Sequence, residues 1–471
     1  MVNINFGIVE GLPNDEQKKL NKLEWIYNYH KSKNSIKDQY YEGHIGLSEV
    51  NLGIALPTSL SRLSIGCEWG AKCVDVLASR SMFDGFVAEN GMDSNVMNDI
   101  ISRNHLIHEY NKVVKEELKF GAAFVAVSGT VGNAKINFYS EKCAAAEWDS
   151  ETGTIDCGIC FVDLREDESD VTWTPDHVNL YTKTDIWELT RTGGSWKAER
   201  HEHKFGVPLM VPLAWNATSD KPFGQSRLRK PVRSLIEGYV RTVANATIGL
   251  EFATSPQKYL LGVTDDQFDA VIDDKFRQYV GSIMTSTANP DTGTNPVFGQ
   301  LPQGNIEPHV AMLRILATQF SAATGLTVTD TGVVNDANPT SSDAILAQSQ
   351  TLVLMAEQLN AGNGQALYQI AVMALAIELG TTPAELPDEY KAVMPHFKNP
   401  AMPSVAVTAD AAIKIASARE GFGSTDTFLE MIGFSQADIR RIRAQEQRAR
   451  GLAVLTEFEE TPESEQTEQT E

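Results

Sequence analysis

Between Pro308 and Leu379 the chain reads helix, polar loop, helix, and no other stretch narrows the possible folds so far. Residues 309–324 set Val310, Leu313, Leu316, Ala317 and Phe320 at the three- and four-residue steps of one helical face. Gly325 supplies a C-terminal stop, because glycine accepts the left-handed backbone that ends many helices. Residues 325–339 are rich in Thr, Asp, Asn and Gly and give a core almost nothing to pack. A second helix then starts at about Thr340. Thr340, Ser341 and Ser342 offer N-caps, Asp343 suits the first turn, and AILAQSQTLVLMAEQL continues the helix. A long polar loop held between two firm helices is uncommon inside a compact domain unless it has a function.

Upstream, Asn14 or Asp15 caps a helix that carries Leu20, Leu23, Ile26 and Tyr27 on one side. Residues 59–86 form a second helical pattern running into a turn at Asp84-Gly85, and residues 97–119 a third, with Ile107, Val113, Val114 and Leu118. Gly121 ends it. From there to Trp215 the period changes from helical to alternating: KINFYS, CGICFVDL, VNLYT, IWELTR, SWKAERHEHKFG and LMVPLAW are short strands, with DSETG and RTGG as hairpin connections. This is a β-rich unit inserted into a helical chain. Residues 227–252 return to helix, with Val232, Leu235, Ile236, Tyr239, Val240, Val243, Thr247 and Leu250 on the helical steps. Arg227, Arg229, Lys230, Arg233 and Arg241 crowd its first half. Cations at a helix N-terminus oppose its dipole at about 0.3–1 kcal/mol each, so the cluster calls for an anion or an acidic neighbour.

After residue 256 come a strand (KYLLGV), a helix with Phe268, Val271, Ile272 and Phe276, and a Gly/Pro/Asn-rich connection to Ile306. Beyond Leu379, Pro383, Pro387, Pro395, Pro400 and Pro403 mark a linker, and helices over 408–418, 425–432 and 435–458 close the folded part. The last helix carries Arg440, Arg441, Arg443, Arg448 and Arg450. Residues 459–471 are acidic and apolar-free, which predicts a disordered tail.

The formal charge of −22 argues against a surface built to coat nucleic acid or anionic lipid, while leaving room for a local basic track. No apolar run approaches the roughly twenty residues that span a bilayer, so a soluble chain made inside the cell is expected. The cysteines are five, an odd set, and reduced thiols are expected. Cys157-Gly-Ile-Cys160 has metal-ligand spacing but lacks a second pair, and its setting reads as a strand with buried thiols. In His201-Glu-His203 two histidines share a strand face without a nameable third ligand. The triplets Asp291-Thr-Gly293 and Asp330-Thr-Gly332 lie in polar loops rather than in the paired lobes of an aspartic protease. There is no GxxxxGK[ST], HExxH or GxSxG. The expectation is a non-enzyme with no catalytic residue, metal or cofactor. A metal-dependent hydrolase built on the histidine pair and nearby acids is one alternative.

The order of motifs resembles the portal proteins of tailed bacteriophages of the long-tailed type. YYEGHIGL followed by CEWGAKCVDVLASRSMFDGF is similar to that family's Tyr-Gly turn and Trp-bearing helix, and NKVVKEELKFGAAFVAV to its helix-Gly-strand junction. AAAEWDSETG, the helix leading to SPQKYLLG, NPTSSDAILAQSQTLV, and VTADAAIKIASAREGF with MIGFSQADIRRIRAQEQRARG continue the likeness in order. The resemblance implies an α+β, mainly helical ring subunit with a β-rich wing insertion, a small α/β clip and a helical crown. Residues 1–226 become the wing, with its β-rich insertion at about 120–215. Residues 227–252 and 307–324 become the two stem helices, 253–306 the clip and 325–339 the tunnel loop. Residues 340–402 become the long wing helix and linker, and 403–458 the crown.

It also implies a twelve-fold ring at one capsid vertex, the channel for DNA packaging and ejection. Implied partners are double-stranded DNA, the terminase large subunit, a head-tail adaptor, and the major capsid and scaffold proteins, in the virion and in host cytoplasm during assembly, with no membrane. Val328, Thr329, Asp330, Thr331, Val333, Val334, Asn335 and Asp336 would face the channel. Arg233, Tyr239, Arg241, Leu313, Arg314, Leu316 and Phe320 would form the stem and ring interface. Another ring-forming virion protein without a DNA channel is the remaining alternative.

Overall fold

Residues 4–45, 65–88, 94–166, 173–254, 258–262, 293, 295, 297–300, 305–333, 342–401 and 405–459 are described in the structure, a computed structural model. The chain mixes helix and sheet and divides into two compact units. One comprises Met1–Asn34, Asp75–Ser226 and Ser349–Glu471; the other comprises Ser35–Val74 and Arg227–Gln348.

The chain opens with α1 (Asn14–Tyr41) and α2 (Trp69–Ala78), then β1 (Phe83–Ala88), α3 (Ser94–Arg103) and α4 (Leu106–Phe120). Strands β2 (Ala122–Thr130), β3 (Asn133–Ser140), β4 (Ala144–Asp149), β5 (Thr154–Glu166) and β6 (Trp173–Tyr181) follow. They are succeeded by β7 (Asp185–Thr192), β8 (Ser195–Glu202) and β9 (Met210–Ala214). These make an antiparallel five-stranded sheet, β4-β5-β6-β7-β8, and a three-stranded sheet, β3-β2-β9. The period-two alternation of the sequence is visible in the first sheet. Cys157, Ile159 and Phe161 on β5, Val178 and Leu180 on β6, and Trp187 and Leu189 on β7 share one face. Leu20, Leu23 and Tyr27 of α1 cover that face, with the Tyr27 ring edge-on to Phe161 at 4.9 Å.

Three readings of this unit need correction. The pattern over 59–86 is not one helix: among its described residues, α2 covers only Trp69–Ala78 and Phe83–Ala88 is a strand. That strand pairs with β12 (Val393–Phe397), inside the stretch read as a linker. Its ring Phe83 is buried against Phe86, Tyr110 and Phe397, a long-range packing gain that outweighs local helical preference. The helix expected over 97–119 breaks into α3 and α4 at Asn104-His105, where His105 adopts a left-handed φ of 48°. Asn104 explains the break: its amide donates to Ala134 O at 3.0 Å and its carbonyl accepts from Ile136 N at 2.9 Å, satisfying strand β3.

The second unit is organised by α5 (Lys230–Thr254) and α6 (Glu307–Thr324), which pack together. Strands β10 (Lys258–Leu261) and β11 (Val297–Gln300) pair antiparallel between them in sequence. The helix expected around Phe268–Phe276 lies outside the described residues. After α6 a 3-10 turn, Thr329–Thr331, occupies part of the polar loop, and α7 (Ser342–Glu378) is the long helix. The chain then runs through α8 (Asp388–Lys391), β12, α9 (Val405–Ala418), α10 (Asp426–Ile432) and α11 (Gln436–Glu459). The acidic tail beyond Glu459 lies outside the described residues.

Candidate functional site

The site is the helix pair α5/α6 with the turn that follows α6. The two helices approach closely at Gly238, where a Cβ would stand 3.2 Å from Leu316 Cδ2. Buried Val232, Ile236, Val240 and Ala244 form a four-residue stripe along α5, and Leu316, Ala317 and Phe320 form the buried stripe of α6. Trp69, at the start of α2, is almost wholly buried beside them. Its indole lies 4.5 Å from the Tyr239 ring and 4.7 Å from the Phe320 ring, so one side chain touches both helices. Gly70 permits this placement, because a side chain there would run into the Tyr40 carbonyl at the end of α1.

Helix α6 ends as its sequence predicts. Gly325 has a left-handed φ of 73° and returns its N–H to Ser321 O. The carbonyl of the buried last residue, Thr324, is then satisfied in an unexpected way. Arg227, buried just before α5 begins, donates from Nη2 to Thr324 O and from Nε to Cys73 O, both at 2.6 Å. Within the basic cluster, Arg227 thus has two carbonyl oxygens among its partners. One belongs to the C-terminal residue of α6, where a cation is favoured by the helix dipole. Arg233 lies with its guanidinium 5.4 Å from the Tyr40 ring.

Beyond Gly325 the turn closes on itself. The Asp330 carboxylate accepts from Thr327 N at 2.9 Å and from Thr327 Oγ1 at 2.8 Å, and Ser321 Oγ donates to Leu326 O. Thr331 is buried and its carbonyl accepts the Trp69 indole N–H at 3.0 Å. Thr329 is exposed at the outer side of the turn, and Val328 and Val333 are half-buried. Val334, Asn335 and Asp336 lie outside the described residues.

The residues singled out for the stem therefore separate by burial. Tyr239, Leu316 and Phe320 are engaged within the chain itself, Leu313 is half-buried, and Arg241 and Arg314 are exposed. Outward-facing apolar surface on α6 comes instead from Val310, Met312 and Ile315, at 40%, 44% and 52% exposure. Trp69 and Arg227 were not among the candidate site residues. Trp69 stands only in the Trp-bearing segment of the resemblance and Arg227 only in the basic cluster; the chemical signal for both is that a buried indole or guanidinium needs polar partners.

The remaining chemical motifs resolve into packing. Cys157 and Cys160 fall on opposite faces of β5, the first in the core under α1 and the second near Tyr139 and Tyr181. Burial pushes the Cys157 thiol up to about 12 and that of Cys160 well above its usual range. Glu147, Asp156 and Cys157 come within ligating distance of one another, but Glu147 is paired with Lys22 and Asp156 with Lys183 at 2.9 Å. His201 lies 3.4 Å from Glu188, whereas His203 meets the Thr182 carbonyl at 3.2 Å, so the two imidazoles serve separate partners.

Comparison with known proteins adds sequence likeness to this geometry. Residues 10–451 match the family described as phage portal protein, SPP1 Gp6-like. The portal protein of Mycobacterium phage D29 is 23% identical over 279 residues, a match covering 59% of this chain and 56% of that protein. The chain thus spans about half the length of that relative. Among solved structures it is similar to a chain in the neck of a native GTA particle computed with C12 symmetry, at TM-score 0.45 and 12% identity over 84% of this chain and 99% of that one. A chain from the virion of a native gene transfer agent particle gives TM-score 0.44 and 12% identity over 78% and 89%. The family assignment rests on the sequence matches.

Proposed function

Because this chain belongs to the phage portal protein family, we propose that it assembles as a closed ring, twelve-fold by family resemblance, around a channel that passes double-stranded DNA at one vertex of the capsid. In this reading α5 and α6 are stem helices, residues 325–339 form the loop that meets DNA, and the paired strands β10 and β11 belong to the clip. Residues 1–226 and the long helix α7 form the wing, and α9, α10 and α11 the crown. The terminase large subunit, a head-tail adaptor, and capsid and scaffold proteins are the partners this role requires, with assembly in host cytoplasm and residence in the virion.

The observation that carries the proposal is the division of labour on α6. One stripe closes the chain's own core, while Met312 and Ile315, three residues apart, leave apolar surface on the side away from it. A head-to-tail ring needs such an unspent surface on every subunit. The double variant Met312→Asp with Ile315→Asp is expected to leave the protomer folded, since both side chains are exposed in it. It should replace rings by protomers in analytical ultracentrifugation, because an uncompensated charge buried at each contact costs several kcal/mol. Rings of undiminished yield from that variant would overturn the stem assignment.

The loop reading supplies a second test. Residues 325–339 contain Asp330 and Asp336 and no Lys or Arg, as suits a surface that must let phosphates slide past. Asp330 is a poor place to add charge, because its carboxylate closes the turn. Thr329 is exposed, and the bond from Gly332 N to its carbonyl uses the backbone and would survive a change of side chain. Thr329→Lys is expected to give normal rings that package DNA slowly at low salt, with the defect relieved as salt rises and screens the added cations. Packaging at the unmodified rate across all salt concentrations would place the turn away from DNA.

A further inference from the structure

We infer that Trp69 is the positioning residue for the turn after α6: its indole N–H, held between the two helices, sets where the loop starts relative to them. The turn has two kinds of restraint. Most are local: Asp330 closes on Thr327, Ser321 Oγ holds Leu326 O, and the amides of Asp330, Thr331 and Gly332 donate to carbonyls three residues earlier. Local bonds give the turn its shape and tie its first residues to the end of α6, but they do not join Thr331 to the rest of the unit.

The bond from Trp69 Nε1 to Thr331 O is of the other kind, joining residues 262 positions apart. It reaches the turn from a ring fixed by Tyr239 on α5 and Phe320 on α6. Arg227 adds a second tie between the same elements, joining the Cys73 carbonyl on α2 to the Thr324 carbonyl at the end of α6. The first half of α2 is therefore bonded to α6 and the following turn at two places, Thr324 and Thr331. A Phe at position 69 could keep the ring contacts but could not make the bond, and it would leave a buried carbonyl unpaired. The link to DNA movement rests on the channel reading above; the positioning itself does not.

The test separates the two. Hydrogen exchange of the full chain is compared between the unmodified protein and two variants, Trp69→Phe and Trp69→β-(3-benzothienyl)alanine. The second keeps the shape of the indole and replaces only its N–H by sulfur, so packing alone would leave it indistinguishable from tryptophan. Both are expected to speed exchange at Asp330, Thr331 and Gly332 about three- to tenfold, the effect of one net hydrogen bond, with α5 and the body of α6 unchanged. Unchanged exchange at those three amides in the benzothienyl variant overturns the inference, whatever Trp69→Phe does. DNA packaging by the benzothienyl variant is then measured as well. A loosened turn with unimpaired packaging would keep the positioning role and remove the channel role from the loop, whereas a loosened turn with slowed packaging supports both.

Discussion

Phe320→Ala is expected to destabilise the helix-pair unit by about 3–5 kcal/mol, the usual cost of removing a buried ring and leaving its cavity. Phe320 is fully buried, its ring 4.7 Å from that of Trp69 and tilted 30° to it. Its neighbour Leu316 is already in close contact with Gly238, so α6 cannot easily shift inward to refill the space. Hydrogen exchange in α5 and α6 under increasing denaturant reads this directly, independently of the first unit. A change below about 1 kcal/mol would mean that the two helices are held together by something other than this aromatic contact. The contrast with Met312 and Ile315, about two turns and about one turn away on the same helix, is part of the expectation: charges there should spare the fold and cost the assembly.

Stability is also expected to fall as pH rises from about 4.5 to about 8, through Glu117. This side chain is fully buried on α4. One carboxyl oxygen accepts from Asn363 Nδ2 at 2.7 Å, and the same amide donates to Tyr110 Oη at 3.0 Å, which in turn meets Ser81 Oγ at 2.9 Å. The other oxygen has no hydrogen-bond partner among the described residues. Burial pushes the carboxyl up from 4.5 to about 8, against the smaller opposing effect of the Asn363 bond. The folded protein thus keeps a proton that the unfolded chain has already lost. Its stabilising effect is complete below about pH 4.5, declines through the interval and is gone above about 8. At 1.36 kcal/mol per pH unit the interval corresponds to at most ~4–5 kcal/mol. Urea unfolding at pH 5.5, 7 and 8.5 measures it, and Glu117→Gln should flatten this component. An equal slope in the variant would assign the effect to other groups.

Much of the fold was legible because helices and strands have fixed periods. The helical patterns over 227–252 and 309–324 appear as α5 (Lys230–Thr254) and α6 (Glu307–Thr324), and the alternation from 120 to 215 as β2 through β9. The stop at Gly325 was legible for the same local reason, since only the backbone freedom of that one residue is needed. What failed was local reading of segments whose partners lie far away. Phe83–Ala88 is a strand because Val393–Phe397 is there to pair with it, and the helix around position 104 breaks because Asn104 serves β3.

The candidate site divides the same way. By itself the sequence determined that two helices frame a polar, cation-free loop, and that α6 has an apolar face. Only the tertiary structure decided which side is spent within the chain, placing Leu316 and Phe320 inside and leaving Met312 and Ile315 out. It also decided that Arg227 donates to the carbonyls of Cys73 and Thr324, and that the loop is tied to Trp69, 262 residues from its acceptor. Periodicity states that a face is apolar but not what covers it, and a count of charges states that a cation needs a partner but not which one. Both are settled by contacts between residues distant in sequence, whose closure entropy is met only when the whole unit packs.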